Sequence, residues 1–152
     1  MIAIDGMTVV SGQVNVLVLE EEIPTPRHHR MTLPKEHFDH IAEGSKTIEM
    51  RLYDEKRRMI RIGDTIEFAC DKDEAQKLLA NVQGLYVYPN FERLVEEFTP
   101  AELGFAQASH EKIAEYMRGI YGEEAIIRGQ TLAIKVKVIE SNELGNATTD
   151  VI

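Results

Sequence analysis

Alternation is the feature that most constrains this chain. From residue 30 onward, apolar residues recur at every second position in short runs: Met31 and Leu33; Ile48, Met50 and Leu52; Ile66 and Phe68; and Leu132, Ile134, Val136 and Val138 within Thr131–Ile139. A period of two places those residues on one face of a β-strand. Gln76 to Tyr88 is also strand-prone, with a bend expected at Gly84. Helical patterns break into this series at irregular intervals. Pro34 opens and Gly44 closes a short helix carrying Phe38 and Ile41 at helical spacing. Phe91, Leu94, Val95 and Phe98 mark an amphipathic helix. Thr99-Pro100-Ala101-Glu102 reads as a capping box that starts another. Ser109 begins a further helix whose apolar face is Ile113, Tyr116, Met117, Ile120 and Tyr121. Asp54 to Met59 reads as a charged turn or short helix, and Gly63-Asp64 as a break. A regular strand–helix alternation would build a parallel α/β sheet, and this order is not regular. The expected class is α+β: a small β-barrel or curled antiparallel sheet decorated by helices.

The chain has 152 residues, of which 43% are hydrophobic and 28% charged, a length and balance that suit one globular domain. We divide it into an N-terminal extension at 1–29, a main domain at 30–140 and a C-terminal tail at 141–152. In the extension, the β-prone runs Met7–Val10 and Val14–Leu19 flank Ser11-Gly12 and fit a hairpin. Glu22-Ile23-Pro24-Thr25-Pro26 then reads as an extended connector. The single cysteine, Cys70, cannot form an internal bridge, which fits a reducing compartment. No run approaches the roughly 20 apolar residues that cross a bilayer, and no basic residue precedes Arg27. The expected location is cytoplasmic, with no membrane partner.

Charge is unevenly placed. The chain carries −9 overall, yet Arg27 to Arg61 holds nine Lys or Arg against six Asp or Glu. Four of the five histidines, His28, His29, His37 and His40, fall in the same segment. An acidic body with one basic face is suited to holding an anion at that face.

Gly44-Ser45-Lys46-Thr47-Ile48-Glu49-Met50-Arg51 is the most distinctive run. With Met31-Thr32-Leu33 before it and Ile62-Gly63-Asp64-Thr65-Ile66-Glu67-Phe68 after it, it resembles the signature of the ASCH domain family, a branch of the PUA-like β-barrels. Leu85-Tyr86, the helix from Asn90 to Phe98, Leu103-Gly104-Phe105 and the closing strand through Val138 extend the resemblance over about residues 30–139. It implies a PUA-like small barrel with helices packed against one side, and a ligand cleft near Lys46 that takes RNA or a modified nucleoside. Some small members of the family hydrolyse acetylcytidine with a lysine, a threonine and a glutamate. Lys46 matches that lysine, while Glu49 stands where the threonine would be.

The residues themselves allow two chemistries at this segment. Lys46 lies where a helix ends and a strand begins, a junction that can aim a side chain into a cleft as base or nucleophile; the plain alternative is a solvated lysine. Glu49 and Arg51 share a strand face, where the carboxylate can accept from a base and the guanidinium can fork onto phosphate; the alternative is an exposed ion pair, which contributes only about 0–1 kcal/mol. Lys56, Arg57, Arg58 and Arg61 form a basic cluster with Tyr53 beside it, suited to an RNA backbone and a stacked base. The candidate ligand residues are thus Lys46, Glu49, Arg51, Tyr53, Arg57 and Arg58, with Lys46 and Glu49 also the candidate catalytic pair. Neither His28-His29 nor His37-x-x-His40 has metal-site company, so no metal and no cofactor is expected. Three roles stay open: a module binding RNA or a nucleotide, an amidohydrolase of acylated nucleosides, and a protein-binding domain.

Overall fold

A computed structural model of the chain describes residues 7–10, 13–16 and 25–139. Ser11-Gly12, the end of the second β-prone run, most of the proline-containing connector and the tail from residue 140 lie outside them. β1 (Met7–Val10) and β2 (Gln13–Val16) pair antiparallel as a ladder of their own. The main domain runs β3 (His28–Leu33), α1 (Lys35–Glu43), β4 (Ile48–Leu52), β5 (Thr65–Cys70), β6 (Asp73–Tyr88), α2 (Phe91–Glu96), α3 (His110–Tyr121), α4 (Glu123–Arg128) and β7 (Thr131–Val138).

These five strands form one sheet in the order β3-β5-β6-β7-β4. One expectation is corrected here. The sheet is mixed rather than antiparallel, because β3 runs parallel to β5. Parallel neighbours need a crossover of a dozen or more residues. The chain between β3 and β5 supplies one, carrying α1, β4 and a 3-10 turn at Arg57–Met59. The bend expected at Gly84 is present as a register shift against β7 between Val82 and Gly84.

The sheet is strongly curled. β3 and β4 are its two edges, and four inter-strand steps would separate them by about 19 Å if it were flat. Instead, Nη2 of Arg51 on β4 donates to the carbonyl of Thr32 on β3 at 2.9 Å. The strands therefore wrap into a half-barrel, and one side chain spans its open seam. This is the α+β, PUA-like architecture that the sequence implies.

Register decides which side chains face inward. Arg51 lies opposite Leu132 and Glu49 opposite Ile134, so both polar residues share the concave face with the main core. That core joins Leu33, Phe68, Val82, Leu132 and Ile134 to Phe38 and Ile41 of α1. The opposite face of β4 and β7, with Ile48, Met50 and Ala133, packs on Phe91 and Leu94 of α2 and Ile113 and Met117 of α3. An ion pair between Glu92 and Arg118 ties α2 to α3.

The capping box also needs correction. Its bonds form as expected: Thr99 N–H donates to Glu102 Oε1 at 2.9 Å, and Glu102 N–H to Thr99 Oγ1 at 3.2 Å. No helix follows, however. Gly104 takes a left-handed conformation, φ 87°. Phe105 N–H bonds Pro100 O at 2.8 Å and Gly104 N–H bonds Ala101 O at 3.0 Å, a closing pattern that usually ends a long helix. Here it closes a single turn.

Candidate functional site

Backbone bonds on two sides aim Lys46. α1 ends at Gly44, φ 87°, whose conformation glycine tolerates best. Lys46 N–H then bonds His40 O, while Thr47 and Ile48 N–H both bond Glu102 O, each at 3.0 Å. Held between the end of α1 and the 99–105 turn, the Lys46 side chain points inward and is only 4% exposed.

There it joins a charged chain. Lys46 Nζ lies 2.8 Å from Glu49 Oε1 and 2.9 Å from His37 Nδ1. Glu49, 5% exposed, accepts from Arg51 Nε on its second oxygen at 2.7 Å. Burial alone would raise the Glu49 carboxyl. The charges and hydrogen bonds of Lys46 and Arg51 outweigh it and hold the group down to about 2. Burial also lowers Arg51, but the adjacent carboxylate more than offsets that and leaves it raised. Burial, helped by the Lys46 charge, pulls His37 down to about 4. The ring is thus neutral near pH 7, and since its Nδ1 accepts from Lys46, hydrogen bonding assigns the ring proton to Nε2.

This chain forms the polar wall of a cleft of about 300 Å³ opening at the barrel seam. The facing walls are apolar and aromatic: Leu33, Phe105, Tyr116, Ile120 and Tyr121. Phe105 sits edge-on to His37 at 4.6 Å and to Tyr116 at 5.4 Å. Tyr121 stacks on Phe91 at 5.7 Å, which fixes its ring at the cleft border. Space is tight behind Lys46. A Cβ on Gly104 would come within 2.6 Å of Lys46 Cδ and 2.8 Å of His37 Nδ1.

Of the residues singled out in the sequence, Lys46, Glu49 and Arg51 converge on this cleft. Arg57 does not line it and borders a neighbouring groove that shares Thr32 and Arg51. Arg57 is held by Asp54, with Nη1 2.9 Å from its carboxylate. Tyr53 and Arg58 are paired with each other, the guanidinium lying 4.2 Å above the ring centroid. Cys70 is buried in the main core. His40 faces outward beside Glu36 and Glu43. No group of His, Cys, Asp or Glu among the described residues is arranged to hold a metal ion, and no helix there is long and apolar enough to cross a membrane.

Sequence reasoning missed His37, Phe105, Tyr116 and Tyr121 as cleft residues. The sequence assigns the two tyrosines only to the apolar face of α3. A signal did exist: five large apolar residues make a stripe wider than one core contact needs. Tyr116 and Ile120, at its edge, are 47% and 54% exposed.

Comparison with known proteins places this geometry. The family model described as ASCH domain matches residues 31–140. The crystal structure of hypothetical protein PH0355 is similar at 34% identity and a TM-score of 0.66, over 74% of this chain and 99% of that one. Protein PF0455 from Pyrococcus furiosus, solved by NMR, is 33% identical with a TM-score of 0.61, over 74% and 98% respectively. ZmASCH from Zymomonas mobilis, at 15% identity and a TM-score of 0.54 over 82% and 81%, shares the fold alone. No curated protein matches the chain. With the family model spanning residues 31–140 of the 152, the chain belongs to the ASCH domain family.

Proposed function

We propose that the protein binds RNA or a nucleotide, with a single base entering the seam cleft. The observation that carries this reading is the buried Lys46–Glu49–Arg51 chain set against aromatic walls. Burying such ions is seldom the most stable choice for a fold, since well-packed apolar residues usually do as well or better. A nucleobase needs what this cleft offers: flat apolar faces to stack on and an edge of donors and acceptors. The volume, near 300 Å³, lies at the small end of ligand sites, which suits one base and part of its sugar. In this reading Lys46, Glu49 and the Nε2 of His37 meet the base edge, and Tyr116 supplies a stacking wall.

The test uses ribonucleotides and short oligoribonucleotides, titrated at two salt concentrations by calorimetry. Tyr116 is half exposed, so Tyr116→Ala leaves the fold intact. It should weaken binding by about 1–3 kcal/mol, the usual contribution of one stacked base. If no nucleotide or oligonucleotide binds at either salt concentration, the proposal fails.

A second reading, hydrolysis of an acylated nucleoside, draws on the Lys46–His37 contact. An amine lying between an imidazole and a carboxylate within 3 Å is a route for proton transfer. It ranks second because a carboxyl held near 2 is a feeble base at neutral pH. Incubating N4-acetylcytidine with wild type and Lys46→Ala separates the two. Turnover by wild type that the variant loses would promote the hydrolase above the binding module.

A further inference from the structure

The geometry points to a second compartment of the same site, a phosphate-binding groove that receives the 5′ or 3′ phosphate of a nucleotide whose base occupies the cleft. This inference rests on the base-binding reading above and adds where the phosphate of that nucleotide is held and by which side chains.

A groove of about 320 Å³ lies directly across Thr32 and Arg51 from the cleft, both residues lining both spaces. Five cationic side chains border it against two carboxylates, Glu67 and Glu74, a local balance of +3 on a chain of net charge −9. A cationic groove on an anionic body concentrates anions at that place and repels them elsewhere. Much of this charge is not tightly neutralised. Glu67 is shared between Arg30 at 3.8 Å and Lys77 at 3.6 Å, both loose contacts. Among the described residues Lys56 has no carboxylate partner.

Arg51 links the two compartments. Its Nε is bonded to Glu49 and its Nη2 to Thr32 O. Among the described residues nothing is bonded to its Nη1, which leaves one N–H face for an acceptor at the boundary. Arg57 borders the groove as well, with its Nη1 held by Asp54 and its Nε buried. A phosphate oxygen is the acceptor that the open Arg51 N–H face and the exposed Lys56 and Lys77 ammonium groups would take best. The sugar of the bound nucleotide would then pass over Thr32 and Arg51, with the base on one side and the phosphate on the other.

The experiment compares three kinds of probe by calorimetry at low salt: the four common ribonucleosides, their 5′- and 3′-monophosphates, and a short mixed-sequence oligoribonucleotide. Wild type is run beside a Lys56→Ala/Lys77→Ala double variant, both positions being exposed. The expected result is a monophosphate that binds roughly tenfold or more tightly than its nucleoside. The double variant should lose most of that gain while keeping its nucleoside affinity. The oligonucleotide arm identifies the source: tighter binding than the monophosphate means a phosphodiester within RNA, and weaker binding means a free nucleotide. Equal affinity for nucleoside and monophosphate overturns the groove and leaves the cleft standing, as does a gain that survives in the double variant. No binding of any probe overturns the cleft reading, and the groove with it.

Discussion

Two side chains of the cleft, Glu49 and His37, make the folded state acid-sensitive, and the direction follows from their surroundings. Glu49 is held at about 2 in the fold, against 4.5 ordinarily. Its stabilising contribution is complete above 4.5 and is lost as pH falls towards 2. His37 sits at about 4 rather than 6.5. The unfolded chain therefore takes up that proton first, and stability declines as pH falls from 6.5 towards 4. Each shift corresponds to about 3 kcal/mol. Urea unfolding at a series of pH values should show two successive losses. His37→Asn keeps an acceptor for Lys46 and should flatten only the upper one; a profile unchanged by that variant would refute the assignment. These residues also show how much of the site was legible. Lys46, Glu49 and Arg51 lie within one helix-to-strand junction, so strand alternation and the motif reveal them together. His37 reaches Lys46 from the preceding helix, and no local period distinguishes a histidine turned to a cleft from one turned to solvent.

At the scale of elements, the 99–105 turn governs the cleft. Its Glu102 carbonyl anchors the start of β4, its Phe105 forms an aromatic wall, and its Gly104 leaves room for Lys46 and His37. Gly104→Ala should cost about 1–3 kcal/mol, because a side chain at positive φ would also press on two pinned neighbours. Thermal melting measures the loss. Ligand titration should show binding falling with it, since Lys46 and His37 must shift. A variant with unchanged melting would mean that the buried pair can yield. The capping box was plain in the sequence, but its single-turn outcome was not: the bonds that start a helix are local, whereas its length here is cut by Gly104 four residues after the proline. The parallel β3–β5 pair was hidden for a related reason. Alternation identifies a strand and its faces but carries no information on the direction of its neighbour. The remaining strands, α1, α2 and α3 were readable because their periods and caps are local.

For the whole molecule, the central fact is that the sheet nearly closes and does not. Among the described residues, β5, β6 and β7 have partners on both sides, whereas β3 and β4 each end in an unpaired edge. A ligand lodged beside Arg51 would touch both edges at once. Amide hydrogen exchange in β3 and β4 should therefore slow on nucleotide binding while β6 and β7 stay unchanged. Uniform slowing, or none, would mean that the ligand does not bridge the seam. A ring with a gap also couples recognition to endurance. Any molecule completing the ring binds the folded chain and not the unfolded one, so at a hundred times its dissociation constant it adds about 2.7 kcal/mol. The gap that Arg51 spans with one hydrogen bond thus makes the melting temperature a reporter of the natural ligand, and a panel of candidate metabolites can be ranked by heat alone.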